Sequence, residues 1–319
     1  MKKKIILVLV AISLVFVSGC NFFKNPDPEL SQEELYKIEL VKEIQEFEKN
    51  FGFKETANFQ KYDPQKTAYY LYYYTKKTFM PYSYEDPRLF LMMGFKKPKE
   101  PNSEKYDVFL YECQAVAGGK TITKALMDAP IHRILEVVAH EDFHEQINFP
   151  LGVEEPIVTL VGYLVAMEFA KFKFGEDSDV YKHLESGLEV RLALAPIFVK
   201  YHGLLTNLYL KYKLGELSRE ETLLRKEALY EGMEAEFLEG GFKIKSHLNN
   251  AFLAYEITYD RYFLLAYEVY SATDCDVLET IEIFMNLPRD GDFFISLGKI
   301  KQIEKEVMDY LKDVIENKS

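Results

Sequence analysis

Cysteine is scarce in this sequence, with three residues in 319, and no two of them form a Cys-x-x-Cys pair. A cysteine-based zinc knuckle and a thioredoxin-like redox centre are therefore excluded. Apart from Cys20, only Cys113 and Cys275 remain, which allows at most one disulfide bond. The sequence also contains no internal repeat and no low-complexity block, so solenoid and fibrous architectures do not apply.

Positive charge is in the minority as well. Lys and Arg together number 39 against 51 Asp and Glu, which gives a net charge of −12. Because such a surface repels phosphate backbones, nucleic acid is not an expected partner. The hydrophobic fraction of 48% excludes wholesale disorder, and the length is sufficient to bury a substantial core.

The N-terminus has the pattern of an export signal. A basic start at residues 1–4 is followed by an apolar run at residues 5–17, which is shorter than the about 20 residues that span a membrane. The tetrad Val-Ser-Gly-Cys that ends at Cys20 resembles the bacterial lipobox, in which the cysteine is acylated. We predict a signal peptide over 1–19, a tether over 20–30 and an exported lipoprotein that its lipid anchors to a membrane. An uncleaved anchor helix is the alternative.

The rest of the chain shows mostly helical periodicity. We predict one mainly α domain with a small β-sheet over residues 31–319. The best strand candidate is 106–117, which a pair of glycines ends, and the tyrosine-rich segment 68–84 is interpreted as packing rather than as a cleft wall. Beyond the strand, helices are predicted at 130–148, 156–174, 178–214, 219–238, 246–270, 276–287 and 296–317.

One motif carries chemistry. Residues 140–144 match H-E-x-x-H, and the preceding stretch supplies Pro130 for the first turn of a helix and an apolar stripe along it. In a helix, His140 and His144 lie one turn apart and about 40° apart around the axis, so both imidazoles can bind one metal ion. Glu141 then lies beside the metal, where it can accept a proton from metal-bound water. The pattern predicts a catalytic Zn²⁺ site.

The identity of the third zinc ligand distinguishes the classes of H-E-x-x-H metallopeptidase. A metzincin would require Gly at position 147 and His at position 150, where this chain has Ile147 and Pro150, so that class is excluded. A carboxylate is the alternative, and the acidic residues within reach in the sequence are Glu145, Glu154, Glu155 and Glu168.

The connection after the motif favours Glu155. We expect the first helix to end near residue 148 and the next to have Pro156 in its first turn, which places Glu155 beside the two imidazoles. Glu168 would lie about 20 Å farther along the second helix. Glu154 would point away from the metal, where it suits a rim position that holds substrate. The alternative is that both acids only cap the helix N-terminus.

The two segments around this site resemble a known family. The motif at 140–144, followed by Glu-Glu-Pro-Ile-Val-Thr at 154–159, resembles a bacterial zinc aminopeptidase family of the gluzincin kind, in which Asn-Glu-Ser-Phe-Ala follows H-E-x-x-H. The segment Leu-Asn-Asn-Ala-Phe-Leu at 248–253 is similar to the Asn-Asn-Ala-x-Leu of that family. The resemblance implies a zincin-like metallopeptidase fold with Glu155 as third zinc ligand.

The resemblance also implies an activity and its residues. Glu141 would act as general base, and Tyr259, which matches a family tyrosine, would stabilise the oxyanion, with Tyr255 as its competitor. Apart from the resemblance, aminopeptidase action needs a carboxylate that holds the α-ammonium group of the substrate, and Glu112, near the edge strand, is the candidate for it. The predicted function is therefore a zinc aminopeptidase. An endopeptidase of the same fold and a non-catalytic ligand-binding surface lipoprotein remain the alternatives.

Overall fold

The computed structural model describes residues 30–94, 104–243, 247–288 and 296–318. The predicted signal peptide, Cys20 and all of the predicted tether except Leu30 lie outside these ranges. The chain divides into two compact units after Lys37, and the features below belong to the second unit, which begins at Ile38, except for the first residues of the first helix. None of the helices in the described ranges is both long enough and apolar enough to cross a membrane.

The strands in the described ranges form two small sheets. Three of them pair antiparallel in the order β3-β2-β4, so β4 lies at an edge, and β1 pairs with β5 in parallel. The strand bounds are β1 Lys61–Tyr62, β2 Tyr69–Lys76, β3 Phe90–Gly94, β4 Tyr106–Cys113 and β5 Thr121–Ile122.

Helices make up most of the described chain. After α1, a 3₁₀ turn at Glu48–Phe51 ends at Gly52, which has a positive φ of 80°. The helix bounds are α1 Gln32–Phe47, α2 Lys124–Met127, α3 Ile131–His144, α4 Leu151–Phe174, α5 Asp179–Lys213, α6 Arg219–Glu239, α7 Asn250–Asp260, α8 Phe263–Ala272, α9 Val277–Met285 and α10 Leu297–Lys318.

This architecture confirms the prediction of a mainly α protein with a small sheet. Several predicted elements differ from the structure: the helix expected at 130–148 ends at His144, and the helix expected at 156–174 begins at Leu151. The helix expected at 246–270 is divided at Arg261 and Tyr262 into α7 and α8, and the strand expected at 106–117 ends at Cys113. The tyrosines Tyr72 and Tyr73 of β2 are fully buried, as the packing interpretation predicts.

One close helix contact positions the motif. Helices α3 and α4 pack against each other, and they meet at Gly162 of α4. A Cβ atom at Gly162 would lie 3.1 Å from the backbone oxygen of Glu136 and 3.1 Å from the Cβ of His140. The glycine lets α4 approach the motif this closely, and a larger residue there would need the neighbouring atoms to move by a few tenths of an ångström.

Candidate metal centre

The motif lies on α3, as its spacing predicts. Pro130 occupies the N-cap with extended backbone (ψ 156°), and the helix ends at His144. The apolar residues Ile134, Leu135 and Val138 are fully buried and fix the rotation of the helix. The helical spacing of four residues places His140 and His144 together, with their ring centroids 4.9 Å apart.

Three ligand atoms converge at the end of this helix. The Nε2 atoms of His140 and His144 lie 3.2 Å apart. The Oε2 atom of Glu155 lies 3.4 Å from each of these nitrogens. Within the part of the chain that the structure describes, these three residues form the one group of at least three His, Cys, Asp or Glu side chains that could hold a metal ion.

The separations fit a metal ion. Ligand atoms about 2.0–2.1 Å from a tetrahedrally coordinated ion lie about 3.3–3.4 Å from one another. The Oε2 atom of Glu155 is buried and has no hydrogen-bond donor of its own in the protein. Because an unpaired buried carboxylate oxygen is costly, its position between two imidazoles indicates a site for a cation. His140, His144 and Glu155 could therefore hold a metal ion.

Glu154 does not lie on the rim, and the prediction that it holds substrate there is wrong. Its carboxylate is buried and 6% exposed. Its Oε1 atom lies 2.6 Å from Nδ1 of His144, and its Oε2 atom accepts a hydrogen bond from the backbone N–H of Phe149 at 2.6 Å. A proton on Nδ1 leaves the lone pair of Nε2 for a metal, so Glu154 orients the candidate ligand His144.

The misplacement of Glu154 follows from where α4 begins. The helix starts at Leu151, with Pro150 as N-cap, and Pro156 lies inside it rather than in its first turn. Part of the N-terminal capping comes from far away in the sequence, because Glu85 accepts a hydrogen bond from the backbone N–H of Gly152 at 3.3 Å. Local sequence patterns do not contain such a contact, so they do not show where the helix begins.

The sequence did not indicate Tyr84, which holds the other oxygen of the third ligand. Its hydroxyl donates a hydrogen bond to Oε1 of Glu155. This contact fixes the carboxylate so that Oε2 faces the imidazoles. Tyr84 belongs to the tyrosine-rich segment, but it lies in a turn after β2 and not in the strand. No local sequence pattern separates it from the tyrosines that pack in the strand.

The opposite side of α3 carries a polar cluster. Asp142 is buried and accepts hydrogen bonds from Thr56 at 2.5 Å, from the Asn58 amide at 2.8 Å and from the Gln45 amide at 2.9 Å. Glu48 is buried beside it, and burial and then the nearby Asp142 charge raise the pKa of Glu48 well above its usual value. These contacts fasten α3 to the segments that precede the sheet.

Charge at the centre shifts two carboxyl pKa values in opposite directions. Burial acts to raise the pKa of Glu155, but His144 and His140 outweigh it and hold that pKa well below its usual range. Burial raises the pKa of Glu141, although the two histidines oppose the shift. A base with a raised pKa accepts a proton more readily near neutral pH.

A cavity of about 290 Å³ adjoins the centre. His140 and Glu141 from α3 line one wall, and Tyr111 and Cys113 from the edge strand β4 line another. Tyr255 and Tyr259 of α7 also line it, with ring centroids 4.9 Å apart. Both candidate oxyanion donors therefore face the same space as the general-base candidate.

The structure does not bring Glu112 to this cavity, so this geometry does not support its predicted role in binding an α-ammonium group. Side chains alternate between the two faces of a strand, and the neighbours Tyr111 and Cys113 line the cavity. Glu112 points to the other face of β4 and is exposed to solvent.

Comparison of the chain with models of protein families, with curated proteins and with solved structures finds no match. The resemblance to the gluzincin aminopeptidases and the zincin-like identity of the fold therefore stay predictions. The geometry of the centre stands independently of them.

Proposed function

We propose that the protein is a zinc-dependent peptide hydrolase. One observation carries the proposal: the ligand atoms of His140, His144 and Glu155 meet where Glu141 faces a cavity. This is the combination that water activation needs, namely a metal position that is open on one side and a base next to it. The partner is accordingly a peptide substrate.

Zinc is the metal that suits these donors best. Two imidazoles and one carboxylate are a common catalytic zinc set, and they leave a fourth position for water. When bound, zinc would lower the pKa of that water and polarise the scissile carbonyl.

The protein side chains supply the remaining steps. Glu141 takes the proton from the attacking water and later delivers it to the leaving amine. Tyr259 donates a hydrogen bond to the carbonyl oxygen as negative charge develops on it, with Tyr255 as the alternative donor. Burial and then the Glu155 charge raise the pKa of Tyr259 well above its usual value, so the hydroxyl keeps the proton that this role requires.

Metal analysis of the purified full-length chain tests the proposal. We expect about one zinc ion per chain, and we expect EDTA to remove both the metal and peptide hydrolysis, with activity returning when zinc is added. A chain that binds no metal, and whose stability is the same before and after chelation, would instead support a non-catalytic ligand-binding lipoprotein.

Peptides with free and blocked N-termini separate an aminopeptidase from an endopeptidase. The aminopeptidase function requires a group that binds the α-ammonium, and Glu112 does not face the cavity. Cleavage of free but not N-acetylated peptides would support the aminopeptidase. Cleavage of blocked peptides alone would assign the protein as an endopeptidase.

The membrane anchor is a separate proposal that rests on the N-terminal sequence. Replacing Cys20 with serine removes the sulfur that would carry the lipid. We expect Cys20→Ser to release the protein from the membrane fraction or to stop its processing. Unchanged membrane association with Cys20→Ser would point to an uncleaved helix.

A further inference from the structure

A second cavity, of about 250 Å³, lies where the segment that follows β2 meets α5 and the start of α10. It shares no lining residue with the cavity at the metal centre. Its lining includes the apolar side chains of Phe79 and Met80 from the segment after β2, Leu210 from α5 and Leu297 from α10. Such a lining favours a ligand with an apolar body.

The polar groups of this lining are mostly in use. The hydroxyl of Tyr209 donates a hydrogen bond to Oδ1 of Asn250 at 2.9 Å, and the hydroxyl of Tyr82 donates one to Glu304. The Nε2 atom of His202 lies 2.9 Å from a backbone carbonyl oxygen. A bound peptide would bring N–H and C=O groups for which few partners remain, whereas an alkyl chain brings none. The lining therefore suits an alkyl chain better than a peptide.

The charged side chains of the lining are all cations. Arg88, Lys213 and Lys301 line the cavity, and no acidic residue does. Arg88 pairs with Asp86, with 2.8 Å between Nη2 and Oδ2. Within the described ranges, neither Lys213 nor Lys301 takes part in an ion pair. Two positive charges at this cavity are therefore not compensated.

The acids that hydrogen-bond to the lining do not compensate these lysines. The side chain of Asp86 is 0% exposed and is paired with Arg88. That of Glu304 is 2% exposed, with Oε1 3.9 Å from Nη1 of Arg261. Each of these carboxylates already has a guanidinium partner. The full chain has a net charge of −12, so a cavity with two excess positive charges differs from the rest of the molecule and favours an anionic group.

We propose that this cavity binds a medium-chain fatty acid, with the alkyl chain on the apolar lining and the carboxylate held by the ammonium groups of Lys213 and Lys301. The Nζ atom of Lys301 lies 4.4 Å from the ring centroid of Tyr82, which keeps that charge at the cavity. A volume of about 250 Å³ is below that of cavities for drug-sized ligands, so it suits a short chain. The inference does not depend on the peptide hydrolase proposal.

The absence of tryptophan from the sequence allows a fluorescent reporter to be placed in the cavity. Leu210 lines the cavity and is 51% exposed, so Leu210→Trp has room for an indole. Leu224 is 73% exposed on α6 and does not line the cavity, so Leu224→Trp is the control. Both full-length chains, in a nonionic detergent, are titrated with octanoate and with octanol that carry bromine on the terminal carbon, because bromine quenches a nearby indole.

We expect the brominated acid to quench Leu210→Trp at a concentration about fivefold lower than the alcohol does, and the two to quench Leu224→Trp without a preference for the acid. Adding Lys213→Gln and Lys301→Gln should reduce the preference to less than about twofold. Adding Lys211→Gln and Lys312→Gln, which make the same charge change on the same two helices outside the lining, should preserve it. The preference should also weaken as the salt concentration rises.

Equal quenching of Leu210→Trp by acid and alcohol, or a preference that survives Lys213→Gln with Lys301→Gln, overturns the inference. So does stronger displacement of the brominated acid by acetyl-dileucine than by octanoate, because the occupant would then be the C-terminus of a peptide. The unmodified chain gives a test that needs no variant. Octanoate should raise its unfolding temperature at concentrations at which octanol does not, and equal shifts would contradict the proposal.

Discussion

A buried carboxylate lies on each of two sides of α3, Asp142 of the helix itself on one and Glu155 of α4 on the other, and the two are held in different ways. On the interior side, both oxygens of Asp142 accept hydrogen bonds from the neutral side chains of Gln45, Thr56 and Asn58. The donors match the acceptors, so this carboxylate needs no further partner. Its contacts hold the helix in place.

On the cavity side, Glu155 has only half of its hydrogen-bonding capacity used. Tyr84 holds Oε1, while Oε2 lies between two imidazoles without a donor. The comparison teaches that an unsatisfied buried carboxylate oxygen indicates a cation position when two imidazole nitrogens face it as well, as they do at Glu155. Glu141 and Asp142, which are adjacent in the sequence, fall on these two sides.

The largest expected effect separates these adjacent acids. Glu141→Gln should lower the rate of peptide hydrolysis by about 10²–10⁴-fold, because the amide cannot accept the proton of the attacking water. The zinc content and the unfolding temperature should stay unchanged, since Glu141 is not a ligand. Steady-state kinetics with metal analysis of the same sample make the measurement. Turnover near that of the unmodified chain would refute the general-base role.

The next effect distinguishes a ligand from the residue that orients one. Glu154→Ala should weaken zinc binding by about 10–100-fold, because His144 loses the partner of its Nδ1 atom. Glu155→Ala should weaken it further, since it removes a donor atom from the metal itself. Competition with a chelator of known affinity gives both values. If Glu154→Ala had the larger effect, the ligand assignment would move to Glu154.

A smaller effect is expected on the interior side. Asp142→Asn replaces one acceptor oxygen with an amide N–H₂ that faces other donors, which should lower the free energy of unfolding by about 1–3 kcal/mol. Hydrolysis per folded molecule should change little, because Asp142 does not face the cavity. Urea unfolding followed by circular dichroism measures the loss. A full loss of activity in folded, zinc-loaded Asp142→Asn would mean that the two sides of α3 are not separate.

The smallest effect concerns pH. The pKa of Glu48 is raised in the fold, so the folded chain binds more protons than the unfolded chain above the usual carboxyl pKa of 4.5. Stability should therefore fall as the pH rises from that value, and Glu48→Gln should make the fall shallower. Thermal unfolding from pH 5 to pH 8 gives the two slopes. A steeper slope for Glu48→Gln would contradict the assignment.

The sequence predicted the parts of the centre that depend on short spacing. His140, Glu141 and His144 occupy one helix, and helical geometry alone brings the two imidazoles together. The choice of Glu155 over Glu154 as a metal-site carboxylate also agrees with the structure. These residues are close in the sequence, so local periodicity contains the information.

The remaining parts depend on contacts between distant segments. Glu85 helps to cap the start of α4 at Leu151. The local sequence does not show this contact, and it predicts a start five residues later. Tyr84 reaches Glu155 from a different part of the chain. The face of the strand on which Glu112 lies depends on register, which no local pattern shows. Tertiary packing decides each of these features.

The candidate metal centre is built almost entirely within one helical hairpin. Both imidazoles, Glu155 and the orienting Glu154 lie between Ile131 of α3 and Phe174 of α4. The entropy cost of closing a loop grows with the logarithm of its length, so a short hairpin is inexpensive to close even before the sheet pairs. We therefore expect zinc to bind these ligands while the rest of the chain is still unfolded. A metal stabilises the folded state only to the extent that it binds the folded chain more tightly than the unfolded chain. The gain in unfolding free energy from zinc should therefore be smaller than its affinity for the folded chain implies.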